Sequence, residues 1–183
     1  MNKYEELLND ADKSNVIVTD QFDLSDTRFK GLYCNGTIAL NKDMYIESEK
    51  TCVLAEELGH YYTTVGDIMD QTDVSNRKQE RHARIWAYHK LLSFNDLINS
   101  YKCGCQNQFE IAEHLNITEE FLVDCLNYYK GKYGLYVRQD NYLIYFEPLG
   151  ILNLIKRLRN KFAILIEKAV RILQSRILKM QSR

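Results

Sequence analysis

The most regular alternation of apolar and polar positions lies at the carboxy end of the chain. Steps of three and four residues place side chains on one face of a helix. Residues at such steps are Ile151, Ile155, Leu158, Phe162, Leu165, Ala169 and Ile172. The positions between them are rich in Lys and Arg, so the pattern predicts a long basic amphipathic helix over 151–183. Three partners fit such a helix: an anionic membrane surface, a partner protein or second copy, and the body of the chain itself.

The amino-terminal pattern predicts a short helix over 3–9 and then strands. Val16, Ile17 and Val18 form a brief β-branched run. Residues 31–41 alternate on both sides of Asn35-Gly36, the dipeptide that most strongly indicates a two-residue hairpin. A small antiparallel sheet is therefore expected near the amino end.

The middle of the chain carries helical spacing with few breaks. Ser48 is a candidate N-cap for a helix running to about Tyr62, followed by an exit loop over 63–67. Further elements are predicted as helices over 77–92, 107–115 and 118–130, a strand over 142–146 and a break at 148–150. The fold class is therefore α+β and mostly helical. We divide it into a main domain over 1–100, a helix pair with a strand over 101–147 and a tail over 148–183.

Charge separates the tail from the rest of the chain. The net charge of -1 combines nine Lys and Arg against one Glu from residue 148 onward with 15 basic and 24 acidic residues before it. These segments carry about +8 and -9, so an autoinhibitory contact between them is one hypothesis. No stretch reaches the roughly 18 apolar residues of a membrane span, and the first residues lack a secretory core, which predicts the cytoplasm.

The five cysteines lack Cys-x-x-Cys spacing, so neither a disulfide framework nor a four-cysteine zinc site is indicated. We expect them to be reduced, and we expect Cys103-Gly104-Cys105 to form an ordinary turn.

The candidate chemistry lies in the helix after the hairpin. Glu56 and His60 are four residues apart, so both face the same side of a helix, and Glu57 lies between them. The arrangement is that of the zinc-peptidase signature His-Glu-x-x-His with Glu in place of the first His. A hydrolytic zinc needs three protein ligands and a water. Glu80, at the start of the next helix, is the natural third ligand, which gives Glu56, His60 and Glu80 as ligands and Glu57 as base.

The segment from Leu54 to Ile68 resembles the active-site helix of the ImmA/IrrE-type metallopeptidases, which prophages and integrative elements of Gram-positive bacteria carry. Residues 30–41 look like the hairpin that precedes that helix, and residues 76–87 look like the helix with the third ligand. The resemblance covers about 1–147 and leaves out the tail. It implies a zincin-like fold, zinc bound by His60 and Glu80, Glu57 as the general base, and a helix-turn-helix repressor as substrate.

Position 56 departs from that family's usual motif, where histidine stands. A carboxylate there can still coordinate metal, but it adds negative charge and weakens the selectivity of the site for zinc over harder ions. The alternative is a degenerate site in a protein that binds the repressor without cleaving it. His82 and His89 are close enough in sequence to replace a lost ligand, although we interpret each as a surface or supporting residue.

The segment 109–123 has the rhythm of a helix-turn-helix. A DNA-reading helix begins with basic or amide side chains, whereas this one begins Thr118-Glu119-Glu120. We interpret the pair as a structural or protein-docking element and consider direct DNA binding unfavourable. The sequence fixes no oligomeric state.

Overall fold

A computed structural model describes residues 2–25, 29–63 and 73–181. This part of the chain forms seven helices and six strands, with three strands before and three strands after a run of five helices. The elements are α1 Lys3–Lys13, β1 Ile17–Phe22, β2 Gly31–Cys34, β3 Thr37–Asn41, α2 Glu47–Thr63, α3 Asp73–Leu91, α4 Phe94–Lys102, α5 Gln108–Leu115, α6 Glu119–Tyr133, β4 Tyr136–Gln139, β5 Tyr142–Phe146, β6 Leu149–Asn153 and α7 Leu154–Gln181. The mostly helical α+β class is confirmed.

The predicted hairpin is present, but its sheet is mixed. Asn35 and Gly36 both have positive φ, 47° and 77°, as a tight two-residue hairpin turn requires. Strand β2 pairs antiparallel with β3, and β1 pairs parallel with β3 on its other edge. The expectation of a purely antiparallel sheet therefore fails for β1. Strand β2 occupies one edge of β3. Strand β1, which follows α1, pairs with the other edge and runs in the same direction as β3.

Helix α2 begins at Glu47, two residues earlier than expected, so Ser48 is inside the helix and is not its N-cap. The Glu47 side chain Oε1 accepts hydrogen bonds from Nδ2 of Asn2 at 3.0 Å and Nδ2 of Asn116 at 2.6 Å. Both donors come from segments far away in sequence. Tertiary contacts, which local capping preferences cannot reveal, therefore anchor the start of this helix.

Residues 93–102 and 148–153 were not predicted correctly. Helix α4 begins with a capping box formed by Ser93 and Asp96, a signal present in the sequence that we did not use. Residues 149–153 form β6, which pairs antiparallel with β5, so the tail helix begins at Leu154 and not at 151. The Glu147-Pro148 peptide bond is cis and lies in the turn between these two strands. Two of the three residues of the predicted break at 148–150 therefore belong to strand β6.

Helix α2 runs through the centre of the protein. Leu54, Ala55 and Leu58 on α2 are fully buried, and they join one hydrophobic cluster that extends from Leu7 on α1 to Phe146 on β5. This cluster draws residues from both sides of position 100. The division at residues 100 and 147 stays a prediction, and most of the predicted exit loop lies outside the described residues. No helix in the described ranges combines the length and apolar character needed to cross a bilayer.

Candidate metal centre

The site is built on the face where α2 meets α3. At Gly59 the two helices lie so near each other that an added Cβ would be only 2.9 Å from Cα of Ala83 and would overlap its carbonyl group. Glycine is therefore required for this approach. Residue 60 follows directly on α2, and residue 80 lies almost one turn before residue 83 on α3. The glycine contact thus brings His60 and Glu80 to one place.

His60 and Glu80, two of the predicted ligands, are in contact. Nε2 of His60 lies 3.3 Å from Oε2 of Glu80, and the two side chains are 26% and 48% exposed. The hydrogen bond that His60 donates to the Glu80 carboxylate raises the pKa of His60 and lowers the pKa of Glu80. An imidazole and a carboxylate are both accepted zinc ligands, so this pair has the right chemistry.

Glu57 faces the amino-terminal hairpin, which positions its carboxylate. The backbone N–H of Tyr33 donates to Oε2 of Glu57 at 2.8 Å. A Cβ at Gly31 would lie 3.0 Å from Oε1 of Glu57, so the missing side chain at position 31 makes room for the carboxylate. Burial raises the pKa of Glu57 to about 7, against the charge of His60 and the hydrogen bond from Tyr33. A group with this pKa exchanges a proton readily at neutral pH.

Arg84 takes part in the site, and the sequence analysis did not identify it. Its Nε lies 3.0 Å from Oε1 of Glu80 and 4.0 Å from Oε1 of Glu56. Burial raises the pKa of Glu56, and the charge of Arg84 opposes that rise. The spacing of four residues between Glu80 and Arg84 is the signal that could have revealed the pair.

The predicted ligands fit a metal by chemistry, but only two of them are already in contact. In the described part of the chain, no group of three or more His, Cys, Asp or Glu side chains is arranged as a metal site. His60 and Glu80 touch each other, whereas Glu56 is linked to them through the guanidinium of Arg84. Glu56 would have to leave Arg84 in order to share a metal with the other two.

The other candidate residues lie outside this site. His82 is exposed, and His89 contacts the hydroxyls of Tyr128 at 3.2 Å and Tyr129 at 3.4 Å. His89 therefore belongs to the packing of α3 on α6. All five cysteines are free thiols, and Cys103 and Gly104 form a turn at the end of α4.

The helix pair α5–α6 packs beside the site helix. Asn116 adopts the left-handed conformation that ends α5, and Thr118 caps α6 by accepting a hydrogen bond from the N–H of Phe121 at 3.2 Å. The backbone N–H of Thr118 donates to Sγ of Cys52 on α2 at 3.4 Å. With the bond from Asn116 to Glu47, these contacts make the turn between the two helices part of the support of α2.

A family model described as the IrrE N-terminal-like domain, Peptidase_M78, matches residues 11–127. The match covers more than half of the chain and includes every residue of the site described above. No curated protein and no solved structure matches the chain. The family match agrees with the resemblance of the hairpin and of helices α2 and α3, and the metallopeptidases of this family imply a metal cofactor. The chain belongs to the IrrE N-terminal-like domain family of metallopeptidases.

Proposed function

We propose that this chain is a zinc-dependent endopeptidase that cleaves the helix-turn-helix repressor of a prophage or mobile element and so relieves repression. The observation that supports it best is the contact between His60 and Glu80 beside the half-buried carboxylate of Glu57. A potential base and two potential ligands thus meet on the helix pair that the family match covers.

In this proposal His60, Glu80 and Glu56 hold the metal. A zinc ion held there would supply Lewis-acid chemistry, polarisation of the scissile carbonyl and a lowered pKa of water. Glu57 takes a proton from the attacking water and returns it to the leaving amine. The hydrogen bond from the Tyr33 N–H and the room left at Gly31 orient the Glu57 carboxylate for this transfer.

Glu56 gives the site one more negative charge than a histidine would. Arg84 lies on the facing helix and offsets this charge, since its guanidinium contacts both Glu56 and Glu80. We infer that Arg84 compensates for the glutamate at position 56. Metal binding would then require the two carboxylates to turn from Arg84 toward the metal.

A second candidate is a regulator that binds the same repressor without cleaving it. The observation that favours it is the position of Arg84, whose guanidinium forms ion pairs with Glu56 and Glu80, the two carboxylates needed as ligands. In either case the partner is a protein of the cytoplasm and direct DNA binding is not part of the function, because α6 begins with Glu119 and Glu120.

The first test is metal content. The purified full-length chain is supplied with zinc, dialysed and analysed by plasma mass spectrometry, together with Glu56→Ala, His60→Ala and Glu80→Ala. We expect one zinc per chain in the parent and a loss in each variant. Zinc that stays bound in Glu56→Ala but is lost from the other two variants would show that Glu56 is dispensable. A parent chain that binds no metal would favour the regulator.

The second test is cleavage. The zinc-supplied chain is incubated with a panel of purified helix-turn-helix repressors from the same genome, and their intact masses are measured. We expect two fragments of one repressor with the parent chain and none with Glu57→Gln. Glu113→Gln, an exposed change on α5, is the matched control and should cleave normally. A repressor that binds but stays intact would support the regulator, and cleavage by Glu57→Gln would contradict the role of Glu57.

A further inference from the structure

Helix α7 exposes a large apolar surface. Six apolar side chains among the described residues of this helix are between 54% and 63% exposed. They are Ile155, Leu158, Phe162, Ile164, Leu165 and Ile166. Soluble monomers seldom leave so many large apolar groups together in water, so a surface of this kind indicates a binding site.

Five of the six apolar groups share one face of α7, and basic groups border it. At about 100° per residue, all six except Ile164 fall within an arc of roughly 100°. Lys161 and Lys168 lie along one edge of this arc, and Arg159 lies along the other. Long basic side chains at such edges can extend their charges away from a buried apolar face. The described part of α7 thus has the charge distribution of a helix that lies in a membrane interface.

The acidic body does not neutralise this helix. Among the side chains that the structure describes, the Lys and Arg residues of α7 form no ion pair with the body, although that body carries about -9. The helix adjoins the rest of the protein mainly at β6, the strand directly before it. Its positive charge therefore remains available to another partner.

We propose that α7 binds the surface of an anionic lipid membrane, with its apolar face at the boundary between headgroups and acyl chains. Its 28 residues extend about 42 Å, which suits a helix lying flat on a bilayer. The segment from residue 148 carries nine Lys and Arg and one Glu, which complements anionic lipid headgroups. Pairing of two α7 helices through their apolar faces would instead bring Lys161 and Lys168 beside the like charges of the other copy.

The test is flotation of the full-length protein with vesicles. One set of vesicles contains phosphatidylcholine alone, and a second set contains phosphatidylcholine and phosphatidylglycerol at roughly three to one. We expect the protein to float with the anionic vesicles at low salt and to be recovered unbound from the neutral ones. High salt should weaken binding because the attraction is partly electrostatic.

Two variants separate the contributions of charge and apolar surface. Lys161→Glu/Lys168→Glu should reduce binding to anionic vesicles by at least roughly tenfold, since each basic residue near the surface contributes. Phe162→Ser/Leu165→Ser should reduce it as much without any change of charge. The matched control is Lys13→Glu/Lys102→Glu, which changes the net charge equally on the body and should bind within about twofold of the parent. Far-UV circular dichroism checks that each variant is folded.

Three results would overturn the proposal. The first is no binding to anionic vesicles, and the second is an equal loss with the control variant. The third is a dimer in lipid-free solution, measured by light scattering, that the α7 variants dissociate. That last result would assign the apolar face to a second copy of the chain.

Discussion

Gly59 on α2 lies directly against the backbone of Ala83 on α3, in the two helices of the candidate metal centre. The backbone of Ala83 leaves no room for a Cβ at residue 59. His60 and Glu80 depend on this contact, because they lie on either side of it and meet at 3.3 Å. The backbone approach of two helices therefore determines the distance between two predicted ligands.

Gly59→Ala should force the helices apart. Overpacking of this kind costs about 1–3 kcal/mol of unfolding free energy, and here the obstacle is backbone that cannot turn away. Urea unfolding gives the loss of stability, and zinc titration shows whether the two ligands have separated. Gly131→Ala on α6 is the matched control, since a Cβ there meets nothing within 4 Å and should stabilise the helix by up to about 1 kcal/mol. Equal effects of the two changes would contradict the requirement for glycine at 59.

Arg84→Gln should increase zinc affinity by roughly tenfold, because a unit charge about 4 Å away contributes about 1–4 kcal/mol at the surface of a protein. The guanidinium competes with a metal for Glu56 and Glu80 and also repels it. Competition with a coloured chelator at low salt measures the affinity. Arg81→Gln removes the same charge from an exposed position on the same helix and should bind zinc like the parent. Weaker binding by Arg84→Gln would show that Arg84 supports the site.

The metal-free protein should lose stability as the pH rises from about 4.5 to about 7, and again as it rises through the raised pKa of His60. Burial raises the pKa of Glu57 from 4.5 to about 7, so the folded state holds this proton more tightly than the unfolded state does. Glu80 raises the pKa of His60 above 6.5, and the stabilisation by protonated His60 is present below 6.5 and lost above its folded pKa. Both groups therefore change stability in the same direction.

Urea unfolding in the presence of a chelator, at several pH values across this range, measures the slope. Glu57→Gln should flatten it, whereas Glu113→Gln should leave it unchanged. Glu80 acts in the opposite direction at more acid pH. The hydrogen bond with His60 lowers the pKa of Glu80 from 4.5, so the stability that Glu80 contributes is lost as the pH falls through that lowered pKa. A slope that is the same in Glu57→Gln would contradict the assignment to Glu57.

Tyr129→Phe should destabilise the packing of α6 on α3. The buried hydroxyl donates a hydrogen bond to the carbonyl of Leu92, which would be left without this donor. An unsatisfied buried group costs about 1–3 kcal/mol, and thermal unfolding measures the loss. Tyr136→Phe removes a hydroxyl from a side chain that is 54% exposed and should change stability by less than about 0.5 kcal/mol. A comparable loss in both variants would mean that the Tyr129 hydrogen bond contributes little.

Local patterns predicted the elements whose signals lie within a few residues. The Asn35-Gly36 turn needs only its own dihedral preferences, and α6 needs only the Thr118 cap with acidic residues after it. The parallel pairing of β1 with β3 and the strand at 149–153 depend on partners elsewhere in the chain. Alternation alone cannot identify those partners, which explains why the tail was extended too far toward the amino end.

The site was predicted as a set of residue types and not as an arrangement. Helical spacing placed Glu56 and His60 on one face, and the structure adds the contact of His60 with Glu80. Arg84 was missed because metal-site reasoning searches for ligands, and a guanidinium is not one. The support of Glu57 by the backbone of Tyr33 could not be predicted, since any residue at position 33 supplies the same N–H.

Glu47 implies an order in which the protein is completed during synthesis. Its carboxylate joins the start of α2 to Asn2 and to Asn116, and Asn116 emerges from the ribosome long after α2 and α3 have been made. Because domains fold as units while they are synthesised, the first turn of α2 lacks one of its two anchors until α5 is complete. In the nascent chain, the residues of the candidate centre are therefore synthesised before Asn116, whose hydrogen bond to Glu47 anchors their helix.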